Sequence, residues 1–179
     1  LVTGVQTCAL PIYISGKQVY PGLIACNTSL GLNEIEASRA TRDASEVGDF
    51  NPNIRSIIAY NTDSKVIPTV RSNGILLAQV VPQGGIISGA SSVVQLDAWN
   101  WEDAQYKTDE GIHLNFPSYT TYHFNEDRGT VGVNEKFSDE IQNIRNFFDE
   151  AKAYAQSSSH ENTNLKFEAM RGLFSGEKK

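Results

Sequence analysis

The sequence predicts an α/β protein with a mainly parallel sheet. Three observations carry that expectation. Residues 75–81 (Ile-Leu-Leu-Ala-Gln-Val-Val) are almost continuously apolar and too short for a buried helix, which fits a strand covered on both faces. Residues 138–155 place Ile141, Ile144, Phe148, Ala151 and Ala155 on one helical stripe. Helical and strand-like segments also alternate along the chain, the order that builds βαβ units. The pattern by itself fits an open sheet or a closed barrel.

Taken in order, Val19–Ile24 is a short apolar run interrupted by Pro21-Gly22 and reads as a strand entered through a turn. Glu34–Ala37 could begin a helix, but no apolar face continues from it. Asn51 has the chemistry of an N-cap and Pro52 that of a first helical residue, ahead of Ile54, Ile57 and Ile58. A second helix is expected from a Ser64 cap through Pro68, closing at Asn73-Gly74 in the left-handed conformation. After the 75–81 strand, Pro82–Gly85 is a loop, and Val93, Val94 and Leu96 suggest a further short strand. Ile112–Phe116 alternates and stops at Pro117, again a strand. Residues 118–137 show no period and read as a polar insertion. The long helix then begins near Ser138, with Asp139 and Glu140 at the positive end of its dipole. Ser157–Ser159 is a linker, and residues 164–174 form a last helix stopped by Ser175-Gly176.

Composition narrows the classes of function. With 40% hydrophobic and 20% charged residues, the 179-residue chain reads as globular. A net charge of −6 opposes a nucleic-acid or anionic-membrane partner, each of which calls for a basic patch. No apolar run approaches the roughly 18 residues of a membrane span. The two cysteines, Cys8 and Cys26, make neither a disulfide framework nor a Cys-x-x-Cys pair. Residues 1–12 resemble the translation of a sequencing adapter and are set aside, with Cys8, from reasoning about the fold.

One motif links the chain to a family. Gly16-Lys17-Gln18-Val19-Tyr20-Pro21-Gly22-Leu23-Ile24 resembles the amidohydrolase-superfamily signature, in which Gly-Lys-x-Val-x-Pro-Gly-Leu-Ile precedes Asp-x-His-x-His. Asn73-Gly74-Ile75 leading into the apolar strand, followed by Pro82–Ser91, resembles the imidazolonepropionase-like branch, with its Gly-Gly loop and Gly-x-Ser turn. The Phe147–Tyr154 helix segment is a third point of likeness. The resemblance implies a (β/α)8 barrel of the TIM type, preceded by a small β-sandwich. Residues 13–24 would be the end of that sandwich and the entry strand, and 25–179 the N-terminal part of the barrel. A barrel of about 250 residues would need further strands, so unpaired strand edges are expected here.

In that family two histidines at i and i+2 ligate a divalent metal, commonly zinc, which activates water. Aligned on Pro21–Ile24, the aspartate position falls on Ala25 and the histidine positions on Asn27 and Ser29. Neither is a usual zinc ligand. Asn27 and Ser29 are therefore candidate substrate contacts. No metal ligand or catalytic residue is assigned within this chain, and a zinc ion is an expectation for an intact parent only. The implied substrate is a small amide or cyclic imide with a hydrolysable C–N bond. The alternative is a barrel with a degenerate metal site, serving as a binding or partner subunit.

The remaining candidates weigh toward structural roles. His113, His123 and His160 have no partner at metal spacing. Gly84-Gly85 and Gly89 lack the phosphate-loop pattern and read as turn residues. Ser88, Ser91 and Ser92 lie outside any Gly-x-Ser-x-Gly elbow, so turn chemistry accounts for them. Arg71 reads as a surface or capping residue. Trp99 and Trp101 are expected to pack against a helix, and Asp97, Glu102 and Asp103 to form a solvated helix start.

Overall fold

The computed structural model describes residues 14–35, 37–125, 128–157 and 162–178. The elements run β1 (Leu23–Thr28), a 3-10 turn (Arg39–Thr41), α1 (Ser56–Ala59), α2 (Val66–Ser72), β2 (Ile75–Val80), β3 (Ile87–Gln95), β4 (Gln105–Leu114), β5 (Thr120–Asn125), β6 (Arg128–Val133), α3 (Phe137–Gln156) and α4 (Leu165–Ser175). The fold is mixed α/β. A four-stranded sheet has the order β1-β2-β3-β4, and β5 and β6 form a separate two-stranded sheet.

The expected mainly parallel sheet is corrected to a mixed one. β1 and β2 are parallel, while β2–β3 and β3–β4 are antiparallel. Connection length explains this. Between β1 and β2 the chain runs through residues 29–74, including α1 and α2, long enough for a crossover that restores strand direction. Residues 81–86 and 96–104 hold no helix and only turn the chain back.

Two cores hold these layers. In the first, Leu32, Ile57, Tyr60 and Ile67 from the crossover pack on Ala78, Val80 and Val94 of the sheet, beside Leu96 and Ala104. Ser56 begins α1 in this core, and its buried hydroxyl donates to the Val80 carbonyl at 2.9 Å. In the second, Ala151 of α3 and Met170 of α4 meet Ile87 of β3. Phe147 joins the parts, stacking on Phe50 at 4.5 Å and lying 5.4 Å from Phe167. The stripe seen in the sequence thus buries Ile144 and Ala151. Asn164 caps α4, its side-chain oxygen accepting from the Lys166 and Phe167 amides, and Gly176 closes the helix with φ 81°.

Several local expectations change. β1 begins at Leu23 and extends to Thr28; Pro21-Gly22 lead into it without the expected turn. Asn51 does not cap a helix. Its side chain donates to the Val47 and Gly48 carbonyls, and its own carbonyl accepts from Ile54 in a turn, so α1 starts at Ser56. The segment 118–137 is corrected from an irregular insertion to the β5–β6 hairpin, paired from Thr120↔Val133 to Asn125↔Arg128. Tyr122, Val131 and Val133 are all exposed, so no buried face imposes a period-two pattern on its sequence. His123 lies on β5, opposite Thr130. Ser158, Ser159 and His160 fall outside the described residues, as do residues 1–12.

Gly89 is corrected from a turn to the interior of β3, where its φ is 136° and the pairing with β4 slips between Ile87 and Gly89. The missing side chain has a purpose. A Cβ there would lie 2.6 Å from the Ile54 carbonyl oxygen, which accepts the Ala90 amide at 2.7 Å. Replacing Gly89 with Ala should therefore lower stability by about 1–3 kcal/mol, read as a lower urea midpoint at unchanged slope.

His113 sits on β4 opposite Gly89 and is half-buried. Burial holds its pKa below the ordinary histidine value. The unfolded chain therefore binds the proton more readily, and stability falls as pH drops through about 6.5 toward the folded value. Urea unfolding at a series of pH values should show that loss, and His113→Gln should flatten it; an unchanged slope in the variant would assign the loss to other groups.

Candidate functional site

The parallel register of β1 and β2 sends both carboxyl ends to one side of the sheet. In α/β folds that side carries ligand sites, because the connecting loops leave the strands there. β1 ends at Asn27-Thr28-Ser29. The Thr28 carbonyl accepts the Val81 amide at 2.9 Å, joining the two strand ends, and the Thr28 hydroxyl accepts the Leu30 amide at 3.1 Å. The chain then turns sharply, with the Ser29 carbonyl accepting the Leu32 amide at 2.9 Å.

Asn27 is exposed and left-handed, with φ 52°, at a slip of the β1–β2 register between Ala25 and Thr28. Its amide donates to Gln79 Oε1 at 3.4 Å. Ser29 is half-buried just beyond the strand. Strand alternation is therefore broken between the two residues, and they are not a regular i, i+2 pair on one pleated face. Under this turn lies Tyr60. A Cβ on Gly31 (φ 74°) would come within 2.5 Å of its ring. The Tyr60 hydroxyl is buried without a partner among the described residues, and burial pushes its pKa up to about 12.

The space beyond the strand ends is shaped by residues 33–47. Asp43 donates its amide to the Leu32 carbonyl at 2.8 Å, and Gln83, just past β2, donates to the Ala44 carbonyl at 2.6 Å. These bonds tie the segment to the ends of both parallel strands. Two grooves flank it. One, of about 620 Å³, is lined by Asn33, Arg39, Arg42, Glu46 and Gln83. The other, of about 520 Å³, shares Arg42 and Glu46 and continues along Asn53, Ile54 and Ile58. Neither Asn27 nor Ser29 lines these grooves. Arg39, Arg42 and Glu46 carry no signal in the sequence, because they sit in a polar stretch without a motif.

The other candidates serve the scaffold. Ser88, Ser91 and Ser92 are corrected from turn residues to buried positions on β3. Ser88 accepts from Asn115 Nδ2 at 2.8 Å, and Ser92 from the Asp109 amide at 3.1 Å. Gly84 and Gly85 form the turn after β2, with φ 85° and 62°. Arg71 pairs with Asp97 at 2.8 Å. The expected helix start at 97–103 is a turn between β3 and β4, where Asp103 accepts the Trp99 amide at 3.1 Å. Trp99 is 93% exposed, correcting its expected packing, whereas half-buried Trp101 lies on the first core.

The donor chemistry at the strand ends does not suit a zinc ion. Asn27 and Ser29 supply neutral oxygens, and no three His, Cys, Asp or Glu side chains converge among the described residues. No helix among the described residues is long and apolar enough to cross a membrane.

No protein-family model matches the chain, and no curated protein matches it. A solved structure does: the amidohydrolase from Thermotoga maritima MSB8 is similar with a TM-score of 0.67 at 18% identity, over 87% of this chain and 43% of that one. The chain shares the fold of part of that amidohydrolase and spans less than half its length.

Proposed function

We propose that this chain belongs to an amidohydrolase-like protein of the imidazolonepropionase-like branch, built on a (β/α)8 barrel, whose intact form hydrolyses a C–N bond in a small amide or cyclic imide. One observation carries the reading: the fold likeness covers 87% of a chain in which the parallel pair β1–β2 ends beside a segment that lines a polar groove with Asn33, Arg39, Arg42 and Gln83. In this reading β1 and β2 are the first two barrel strands and residues 25–179 are the N-terminal part of the barrel. Asn27 and Ser29 contact substrate near the reacting bond, as hydrogen-bonding groups rather than metal ligands. Any divalent metal, zinc included, would be held by residues outside this chain.

The donor set at the end of β1 also favours a second reading, a barrel that binds a small molecule or a partner without catalysis. The two are separated by assaying the longest protein that carries this sequence against small amides, cyclic imides and dipeptides, with metal content measured alongside. Hydrolysis that falls about tenfold or more in Ser29→Ala or Asn27→Ala supports the enzyme. Saturable binding of the same compounds without turnover supports the binding protein. Two tightly held metal ions per chain would sink the view that the first strand has left metal chemistry.

A further inference from the structure

We propose that the 620 Å³ groove holds the oxyanion of a small ligand, a carboxylate or phosphate group, between Arg39 and Arg42. Arg39 opens the 3-10 turn and Arg42 follows it as the extended C-terminal cap, its amide donating to the Arg39 carbonyl. Both line the groove, and neither forms an ion pair among the described residues. Two like charges lining one groove repel, and an anion bound between them removes that cost. The groove sets two arginines against one acidic side chain, Glu46, on a chain whose net charge is −6. Asp43 and Glu34 lie on the same segment, so what the groove offers an anion is the pair of guanidinium groups rather than a net positive field. Guanidinium groups also offer paired donors that match a planar carboxylate or a phosphate.

The turn is built to hold this arrangement. The Thr41 hydroxyl accepts the Ile35 amide at 3.2 Å and lies 3.0 Å from the Ile35 and Ser38 carbonyls. The Glu34 amide donates to the Thr41 carbonyl at 3.1 Å, and Asn33 bridges to Arg42. The backbone at Arg39 and Arg42 is thereby held in the segment tied to the ends of β1 and β2. Describing the oxyanion as the distal end of a substrate rests on the hydrolase reading; the binding itself does not.

The test is calorimetric titration of the full chain with succinate and, separately, inorganic phosphate at constant ionic strength. Saturable binding of either is expected, and the tighter of the two identifies the source of the oxyanion. Arg39→Gln and Arg42→Gln should each weaken it about tenfold. Arg42→Lys should restore only part, because a point charge lacks the paired donors. Arg71→Gln, which removes a paired arginine away from the groove, should leave binding unchanged. Absence of saturation in the millimolar range overturns the proposal, as does equal weakening by Arg71→Gln. Both arginines are exposed, and if one variant fails to fold the other decides. Oxyanion binding without any hydrolysis would leave this inference standing and count against the hydrolase alone.

Discussion

The parallel hydrogen bonding of β1 with β2 is the constraint on which the rest depends. Leu23 pairs with Ile75 and Thr28 with Val80, so both strands run the same way and finish together. Such a pair needs a long return path. That path supplies α1 and α2, which cover the sheet through Ile57 and Ile67. It also supplies the segment 33–47, stitched to the strand ends by the Leu32 and Ala44 carbonyls. Were the pairing antiparallel, the ends of β1 and β2 would lie at opposite edges and the grooves around Arg42 would have no frame.

The β3–β4 pair answers a different need. Its strands are the longer ones, and β3 is buried along most of its length, with Ser88, Ser91 and Ser92 placed among apolar neighbours. Burying hydroxyls is costly unless each finds a partner. Ser88 and Ser92 take donors from Asn115 and from the Asp109 amide. Ser91 joins the Gln79 side chain to the Gly111 carbonyl. Since Gln79 also accepts from the Asn27 amide, this polar thread reaches from the left-handed end of β1 across three strands. The backbone of Asn27, rather than its side chain, is what joins this thread.

What could be read from the sequence followed from strong periodicity and from residues with special backbones. The α3 stripe, the α4 stop at Gly176, the Asn73-Gly74 closure and the apolar β2 are visible because each has one physical cause acting on a few adjacent residues. The sheet's mixed direction was written in connection lengths rather than in the strands. Residues 81–86 hold no crossover, but an apolar run invites a parallel reading whichever way its neighbours point. Of β3 the sequence marks only Val93 and Val94, because Ile87–Ser92 looks like turn chemistry until Gly89 is placed against Ile54. Asn27 and Ser29 stand out in the sequence only through a resemblance. Arg39 and Arg42 give no signal, since what distinguishes them is the absence of ion partners among the described residues, a property of three-dimensional arrangement.

The β5–β6 hairpin gives the molecule two levels of cooperativity. Among the described residues its strands pair with each other and with no strand of the four-stranded sheet, and Tyr119 meets Phe137 edge to face at its base at 5.5 Å. A two-stranded ladder with exposed Tyr122, Val131 and Val133 has little buried area to add to its hydrogen bonds. It can open as a unit while β2 and β3 stay closed, so backbone amides in the hairpin exchange with solvent through local opening and those of the central strands through global unfolding. That separation lets the hairpin vary in length or sequence at little cost to the scaffold that carries the grooves.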